Sequence, residues 1–178
     1  IAIIAILVAM LLPSLNKARE TAKKANCMNQ LGQAMKSFQF YADANNDYFF
    51  SHQNPGCIPW SQVLTNMQLI TLNAITCPST KPNTGTRIWS TYGAMRPDLG
   101  GRTFYDAKKL EWGDFLVIPT GQDARYMSLR KMRNVSDIFF LADTIVDPGA
   151  TSRPGEGEWC YNPSAFVEDA AISLTHND

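Results

Sequence analysis

The sequence predicts an α+β fold in which one long N-terminal helix packs its C-terminal half on a small antiparallel sheet within a loop-rich head. Apolar and small residues recur every three or four positions over residues 15–42, which is the period of a helix with one buried face. Further along, short apolar runs alternate with segments rich in Gly, Pro, Thr and Ser, a pattern typical of short strands joined by loops. At 178 residues, with neither an internal repeat nor a linker, the chain fits one domain.

The helix begins with an uninterrupted apolar stretch, Ile1–Leu12. This stretch is shorter than the roughly 20 residues that cross a bilayer, and we expect the full apolar stretch to begin upstream of Ile1. The helix continues to about Ala44, where Asp43-Ala-Asn-Asn-Asp supplies the side chains that favour a turn. Such a helix is about 66 Å long, which exceeds what a domain of this size can bury. We therefore expect Ile1–Leu12 to leave the globule, with a buried core helix as the alternative.

The amphipathic half of the helix carries the face that we expect to be buried. Its members are Leu15, Ala18, Ala22, Ala25, Met28, Leu31, Met35, Phe38 and Ala42. Pro13 separates the two halves, and its missing amide and its ring predict a kink or a local break of the helix. The cations Lys17, Arg19, Lys23 and Lys24 follow the apolar stretch, where they would meet lipid headgroups or solvent.

The head is predicted to contain short elements between loops. We expect a strand to begin at Tyr48–Phe50, a second helix within Trp60–Ile75, and strands at Arg87–Tyr92, Phe115–Ile118, Ile138–Leu141, Trp159–Tyr161 and Ala171–Thr175. Residues 78–103, apart from that strand, and Pro148–Glu158 are predicted to be loops, since Pro and Gly are frequent there.

Charge and cysteine content leave the compartment and the partners open. Residues 1–136 hold 15 basic and 8 acidic side chains, whereas residues 137–178 hold Arg153 and 8 acidic ones. This asymmetry favours head-to-tail association of identical subunits, although two solvated faces give the same pattern. The four cysteines, Cys27, Cys57, Cys77 and Cys160, would form two disulfides in a secreted protein, with three possible pairings. Their spacing is not that of a zinc site.

The sequence contains no residue set with the spacing of a catalytic, cofactor or metal site, so we expect neither an enzyme nor a cofactor. His52 is close in sequence to Cys57, and Asp143 or His176 would complete a protease-like set, but no nucleophile motif surrounds them. The oxygen-rich segment 43–47 lacks the spacing and the closing Glu of a calcium loop. A basic patch that would suit nucleic acid is more typical of an ordinary surface, and its residues are Arg125, Tyr126, Arg130, Lys131 and Arg133. Four tryptophans that would suit sugars are more typical of a core: Trp60, Trp89, Trp112 and Trp159.

The N-terminal residues carry a resemblance to a known family. Ile1–Glu20 resembles the N-terminal helix of type IV pilins and type II secretion pseudopilins, in which Pro13 matches the helix-breaking proline. Cys27-Met-Asn-Gln-Leu-Gly, Tyr41-Ala-Asp-Ala-Asn-Asn-Asp-Tyr-Phe, Cys77-Pro-Ser, Ser90-Thr-Tyr-Gly-Ala-Met and Ile138-Phe-Phe-Leu-Ala-Asp resemble a pseudopilin-like group with a C-terminal signature of His and Asp-Gly, which His176 would open. The family's N-methylated aromatic residue and nearby glutamate are absent, so no residue is assigned to leader processing.

The resemblance implies a pilin-like fold and a structural subunit of a type IV pilin-like filament, either a pilus or a type II secretion pseudopilus. Residues 1–14 would be the membrane and filament-core segment, and residues 15–178 the head with the amphipathic half of the helix. The residues expected in the filament core or membrane are Ile1, Ile3, Ile4, Ile6, Leu7, Val8, Leu11 and Leu12.

The same resemblance implies partners and a location. The partners are other copies of the chain in a helical filament, the inner membrane before assembly, a prepilin peptidase, a platform protein and an assembly ATPase, without nucleic acid. The location is the cell surface or periplasm, where Cys27 with Cys77 and Cys57 with Cys160 are the expected disulfides. A minor or tip-type subunit that recognises sugar, DNA or a secretion substrate is the alternative function, and a membrane-tethered hydrolase is the third.

Overall fold

The computed structural model describes residues 2–53, 58–79, 91–96, 103–120, 124–138, 140–142, 144 and 160–161, with the backbone alone at residues 2, 5, 6, 8, 103, 104, 137, 160 and 161. The elements in chain order are α1 (Ala2–Ala44), β1 (Tyr48–Gln53), β2 (Ile58–Pro59), α2 (Trp60–Asn66), β3 (Gly93–Met95), α3 (Thr103–Trp112), β4 (Leu116–Val117), β5 (Arg125–Ser128), β6 (Leu141–Ala142) and β7 (Cys160–Tyr161). Short 3-10 turns occupy Leu72–Ile75, Leu129–Lys131 and Val135–Asp137.

The long N-terminal helix is confirmed, and it ends where the sequence predicts. Asn46 and Asp47 have φ values of 55° and 62°, the left-handed conformation that Asn and Asp tolerate best after Gly. The amides of Asn45 and Asp47 both donate to the Ala42 carbonyl at 2.9 Å. These bonds supply donors to a carbonyl in the last turn of α1, where the helix itself provides none. The 43 residues of α1 extend about 65 Å.

Two small sheets form the described part of the head, and the α+β fold class is therefore confirmed. The four-stranded sheet has the order β2-β1-β5-β4 and is antiparallel throughout. The three-stranded sheet has the order β6-β3-β7, in which β3 pairs antiparallel with β6 and parallel with β7. α1 packs against β1, β6 and α2, so its C-terminal half lies on the sheets as expected.

Several predicted elements are shifted, and four of the described elements were missed. The second helix ends at Asn66, because Gln68 adopts a left-handed φ of 59° and the chain turns before Leu72–Ile75. β6 begins at Leu141, at the end of the predicted strand, while β4 and β7 lie within their predicted ranges. The sequence pattern did not predict β2, α3 or β5. It also placed residues 93–95 in a loop, whereas they form β3, which pairs with β6 and β7. The expected strands at residues 87–92 and 171–175 fall wholly or mostly outside the described residues.

Aromatic rings around α1 form the centre of the core. Phe38 is 2% exposed, and its ring centroid lies 4.7 Å from that of Phe140 and 5.3 Å from that of Trp60. The Phe49 and Phe50 rings are each 6.0 Å away, in edge-on arrangements that aromatic pairs prefer. This cluster joins α1 to β1, α2 and the segment before β6.

The predicted buried face of α1 needs a correction. Leu31, Phe38 and Ala42 are at least partly buried as expected, but the other six predicted members are exposed: Leu15, Ala18, Ala22, Ala25, Met28 and Met35. The observed buried face begins at Cys27 and consists of Cys27, Ala34, Ser37, Phe38, Tyr41 and Ala42. The prediction failed because the head covers only the C-terminal part of α1 and because small or polar residues allow the closest approach there.

Candidate assembly surface

The first 25 residues of α1 project from the head, and we call residues 2–26 the stalk. The described residues of the stalk include none that is buried, whereas the described apolar side chains of residues 3–15 are between 52% and 74% exposed: Ile3, Ile4, Leu7, Met10, Leu11, Leu12 and Leu15. Of the residues expected in the filament core, Ile3, Ile4, Leu7, Leu11 and Leu12 are therefore exposed in the monomer, while Ile1 and the side chains of Ile6 and Val8 fall outside the described part.

The exposed apolar face of the stalk is costly in water. Removing a Leu, Ile or Met side chain from water contributes roughly 1.5–3 kcal/mol when burial is complete. At one half to three quarters of that exposure, these seven side chains represent about 10 kcal/mol of unused apolar burial. Monomeric soluble proteins rarely expose so continuous an apolar surface, which usually marks a protein or lipid contact.

The predicted break at Pro13 is not present in this structure, because α1 is assigned as one helix through that residue. Proline removes the amide that would bond to the carbonyl four residues earlier, so the helix is locally weaker there even when it is continuous. The neighbouring hydroxyl of Ser14 donates to the Leu11 carbonyl at 2.8 Å. The stalk can thus remain helical in the monomer while keeping a weak point at Pro13.

Cations follow the apolar residues of the stalk. Lys17 and Arg19 are exposed, and Lys23 is partly covered. Glu20 pairs with Lys23 at 2.7 Å, an exposed contact between neighbouring helical turns that contributes little to stability. The remaining positive charge suits either headgroups or solvent.

Polar contacts fix the head to the middle of α1. The phenol of Tyr92 donates to Gln30 Oε1 at 2.7 Å, and Gln30 Nε2 donates to the Asn73 carbonyl at 2.9 Å. About two turns later, the hydroxyl of Ser37 donates to the Leu69 carbonyl at 3.0 Å. These bonds couple the packed half of α1 to two segments of the head, residues 69–73 and Tyr92, so the stalk extends from a fixed base.

Two of the four cysteines meet beside the base of the stalk. Cys27 and Cys77 are both buried, with their sulfur atoms 2.8 Å apart, and the Ser79 amide donates to Cys77 Sγ at 3.4 Å. A bond here would link the first buried turn of α1 to the head. Cys57 lies outside the described residues, as does the side chain of Cys160, and their expected pairing stays a prediction.

An apolar groove lies along α1 next to the core, and the sequence analysis missed it. Its volume is about 390 Å³. One wall is formed by Leu31, Gly32 and Met35 of α1, and the buried rings of Phe49 and Phe140 also line the groove. The other wall is formed by Leu129, Met132, Val135 and Ile138. The sequence signal was a glycine inside an otherwise regular helix, which usually has a packing or functional reason.

The residues of the basic patch differ in their contacts. Arg130 forms an ion pair with Asp47, which compensates its charge at the end of α1. Lys131 and Arg133 are exposed on an irregular segment, and the Arg133 amide donates to the Trp112 carbonyl at 2.7 Å. The Arg130 side chain thus connects the end of α1 to the turn after β5, and the backbone of Arg133 connects the following segment to α3.

The other candidate site residues have structural roles or lie outside the described residues. Trp60 and Trp112 are buried, so these two offer no exposed ring to a sugar, while Trp89 and Trp159 are not described. His52 is fully buried in β1 with its Nδ1 3.2 Å from Ser51 Oγ, and Cys57, Asp143 and His176 are not described. Within the described ranges, His, Cys, Asp and Glu side chains nowhere gather in threes at metal-binding distance.

Comparison with family models, with curated proteins and with solved structures gave no match. In the described part of the chain, every helix falls short of the length and apolarity that a membrane crossing requires. The stalk, its base and the groove are therefore interpreted from their own physical chemistry.

Proposed function

We propose that this chain is a structural subunit of a type IV pilin-like filament and that it polymerises through the apolar N-terminal part of α1. The observation that supports this proposal most directly is the stalk. Residues 3–15 present seven large apolar side chains on a helix that the head does not cover. A single copy cannot bury them, since a continuous helix cannot fold back on its own head.

The physical driving force in this proposal is an exchange of contacts. Before assembly the apolar side chains of the stalk contact lipid, and after assembly they contact the stalks of other copies. Both environments exclude water, so the apolar burial is kept while the subunit leaves the membrane. Heads attached through Cys27, Gln30 and Ser37 would then cover the outside of the filament.

The resemblance of the N-terminal residues supports the rest of the proposal. By that resemblance the subunit is processed by a prepilin peptidase, held in the inner membrane, and assembled by a platform protein and an ATPase. The filament would lie on the cell surface or in the periplasm. Pro13 gives α1 a weak point at which the helix can unwind when subunits pack closely.

Charge substitution in the stalk tests the proposal. A Leu7→Glu substitution places a carboxylate on the exposed apolar face, where burial among other stalks or in lipid is unfavourable. We expect the variant to lose fibre formation in negative-stain microscopy and to remain a monomer in sedimentation, with an unchanged circular dichroism spectrum. Thr21→Glu, a substitution at an exposed position of the same helix outside the apolar stretch, is the matched control.

Truncation gives an independent test. Since the buried face of α1 begins at Cys27, a chain without residues 1–12 keeps every described core contact. It should be a soluble monomer with the same thermal unfolding midpoint as the head in the full chain. Native-like fibres from this truncated chain would refute the proposed mechanism.

A further inference from the structure

Gly32 is the most unusual residue of the groove along α1. It lies in the interior of a 43-residue helix, where glycine is less favourable than alanine because its backbone loses more freedom on folding. It is exposed, and a Cβ atom built on it would have no neighbour within 4 Å. No described neighbour of Gly32 requires the absence of a side chain at this position. We therefore attribute the glycine to another molecule that approaches α1 from outside.

The groove around Gly32 is apolar, so its contact with water is unfavourable. Its lining contains no charged side chain, and Met35, Leu129 and Val135 on its rim are 41%, 38% and 60% exposed. A helix that lies across Gly32 can approach the backbone of α1 more closely than any other residue would allow. An occupant of this groove should therefore be helical, apolar and uncharged.

The apolar part of the stalk, residues 2–15, is a segment of this chain with these properties. Residues 2–15 contain no charged side chain and are helical, and their described large side chains are exposed. Docking such a segment in the groove would remove apolar surface from water on both sides without desolvating a charge. The two surfaces therefore match in polarity.

The two surfaces cannot meet within one copy. Leu15 and Leu31 are 16 residues apart on one continuous helix, which separates them by about 24 Å along its axis. We propose that the groove lined by Leu31, Gly32 and Met35 binds residues 3–15 of the stalk of a second copy of this chain. The inference rests on the proposed filament function and assigns the surface on which each new subunit docks.

This contact has a consequence for the form of the assembly. The stalk of one copy and the groove of the next are different surfaces, so their interface is heterologous and leaves a free stalk and a free groove at the two ends. Repetition of such an interface gives an open polymer with one direction instead of a closed dimer. Growth by repeated addition of the same contact is what a filament subunit needs.

Two substitutions at Gly32 separate the effect on assembly from the effect on the fold. Gly32→Ala should raise the thermal unfolding midpoint of the monomer, because alanine favours the helix and the space for its methyl group is open. The same substitution should lower the yield of fibres from the full chain. Gly32→Leu, which fills the groove, should raise the protein concentration needed for fibres about tenfold or more. Gln33→Leu and Gln33→Ala, one position along but not in the groove, are the controls.

Photo-cross-linking identifies the occupant directly. A photoreactive phenylalanine replaces Val135 in full chains, which are mixed with isotope-labelled full chains, assembled by detergent removal and analysed by mass spectrometry after proteolysis. Cross-links between differently labelled copies that map to residues 3–15 support the inference. Cross-links to the head of another copy, to the same copy or to lipid alone overturn it.

The outcomes also separate this inference from the proposed function. If fibres form, Leu7→Glu abolishes them, and Gly32→Leu assembles like Gln33→Leu, then the groove inference is wrong and the filament proposal stands. If the unmodified chain forms neither fibres nor cross-linked copies under conditions that keep it folded, both are wrong.

Discussion

Replacement of Phe38 by alanine tests whether the aromatic cluster holds α1 to the head. Phe38 is 2% exposed and lies among four aromatic rings at centroid distances of 4.7–6.0 Å. A buried Phe→Ala change costs roughly 3–5 kcal/mol, of which part is the cavity that remains. We expect the free energy of unfolding to fall by about 4 kcal/mol, a large share of the roughly 5–15 kcal/mol of a typical domain. With a urea dependence of about 2 kcal/mol per molar, the unfolding midpoint should fall by about 2 M.

Phe40 provides a matched control on the same helix. It is 64% exposed, two residues along from Phe38, so Phe40→Ala should change the free energy of unfolding by about 0.5 kcal/mol or less. The assay is urea unfolding followed by tryptophan fluorescence, which reports on Trp60 at 5.3 Å from Phe38. Equal losses from the two substitutions, or a loss below about 1 kcal/mol for Phe38→Ala, would refute the assigned orientation of α1 on the head.

Three further predictions follow from other parts of the head. Non-reducing mass spectrometry should recover Cys27 and Cys77 as one disulfide-linked peptide pair, and recovery of both as thiols from secreted protein would contradict this. Because the bond closes a loop of 50 residues, Cys77→Ser should lower the free energy of unfolding by about 4 kcal/mol. Burial raises the pKa of the Tyr105 phenol above its ordinary value, so the folded state favours the neutral form. The free energy of unfolding should therefore be unaffected below about pH 10 and should fall as the pH rises through the raised pKa. Urea midpoints at several pH values should show a smaller fall for Tyr105→Phe. Gly113→Ala should destabilise the fold by about 2 kcal/mol or more, since φ is 90° and the added Cβ would lie 1.9 Å from the Lys131 carbonyl oxygen; an unchanged thermal midpoint would contradict this.

The end of α1 and the start of β1 were predictable because local chemistry decides them. Asn and Asp accept the left-handed conformation and bond to nearby backbone, so residues 43–47 end the helix whatever lies around them. β4 and β7 were found for a similar reason, since short apolar or aromatic runs between turn residues are strand signals by themselves. The proximity of Cys27 and Cys77 was expected only from the resemblance, not from spacing.

α3 carries signals that could have been read from the sequence. Thr103 begins this helix, Asp106 stands three positions later, and Gly113 follows its last residue with a positive φ. These are the residue types that favour the start and end of a helix. The segment was assigned to a loop up to residue 103 because the preceding Gly and Pro residues dominated the pattern.

The buried face of α1 and the groove could not be predicted from periodicity. Met28 and Met35 fit the apolar spacing as well as Phe38 does, yet they are exposed on the flank of the helix. Which apolar residues of a helix are covered depends on where the head ends and on which side chains allow close approach, and both are tertiary properties. For the same reason, Gly32 became informative only when its surroundings were known.

The central claim is that residues 3–15 leave water only by contact with lipid or with other copies of the chain. Negative-stain microscopy of material sheared from the cell surface, with mass spectrometry of the purified fibres, tests it most directly. We expect thin fibres in which this chain is present and from which the Leu7→Glu variant is absent. Fibres that incorporate the charged variant as readily as the unmodified chain would contradict it.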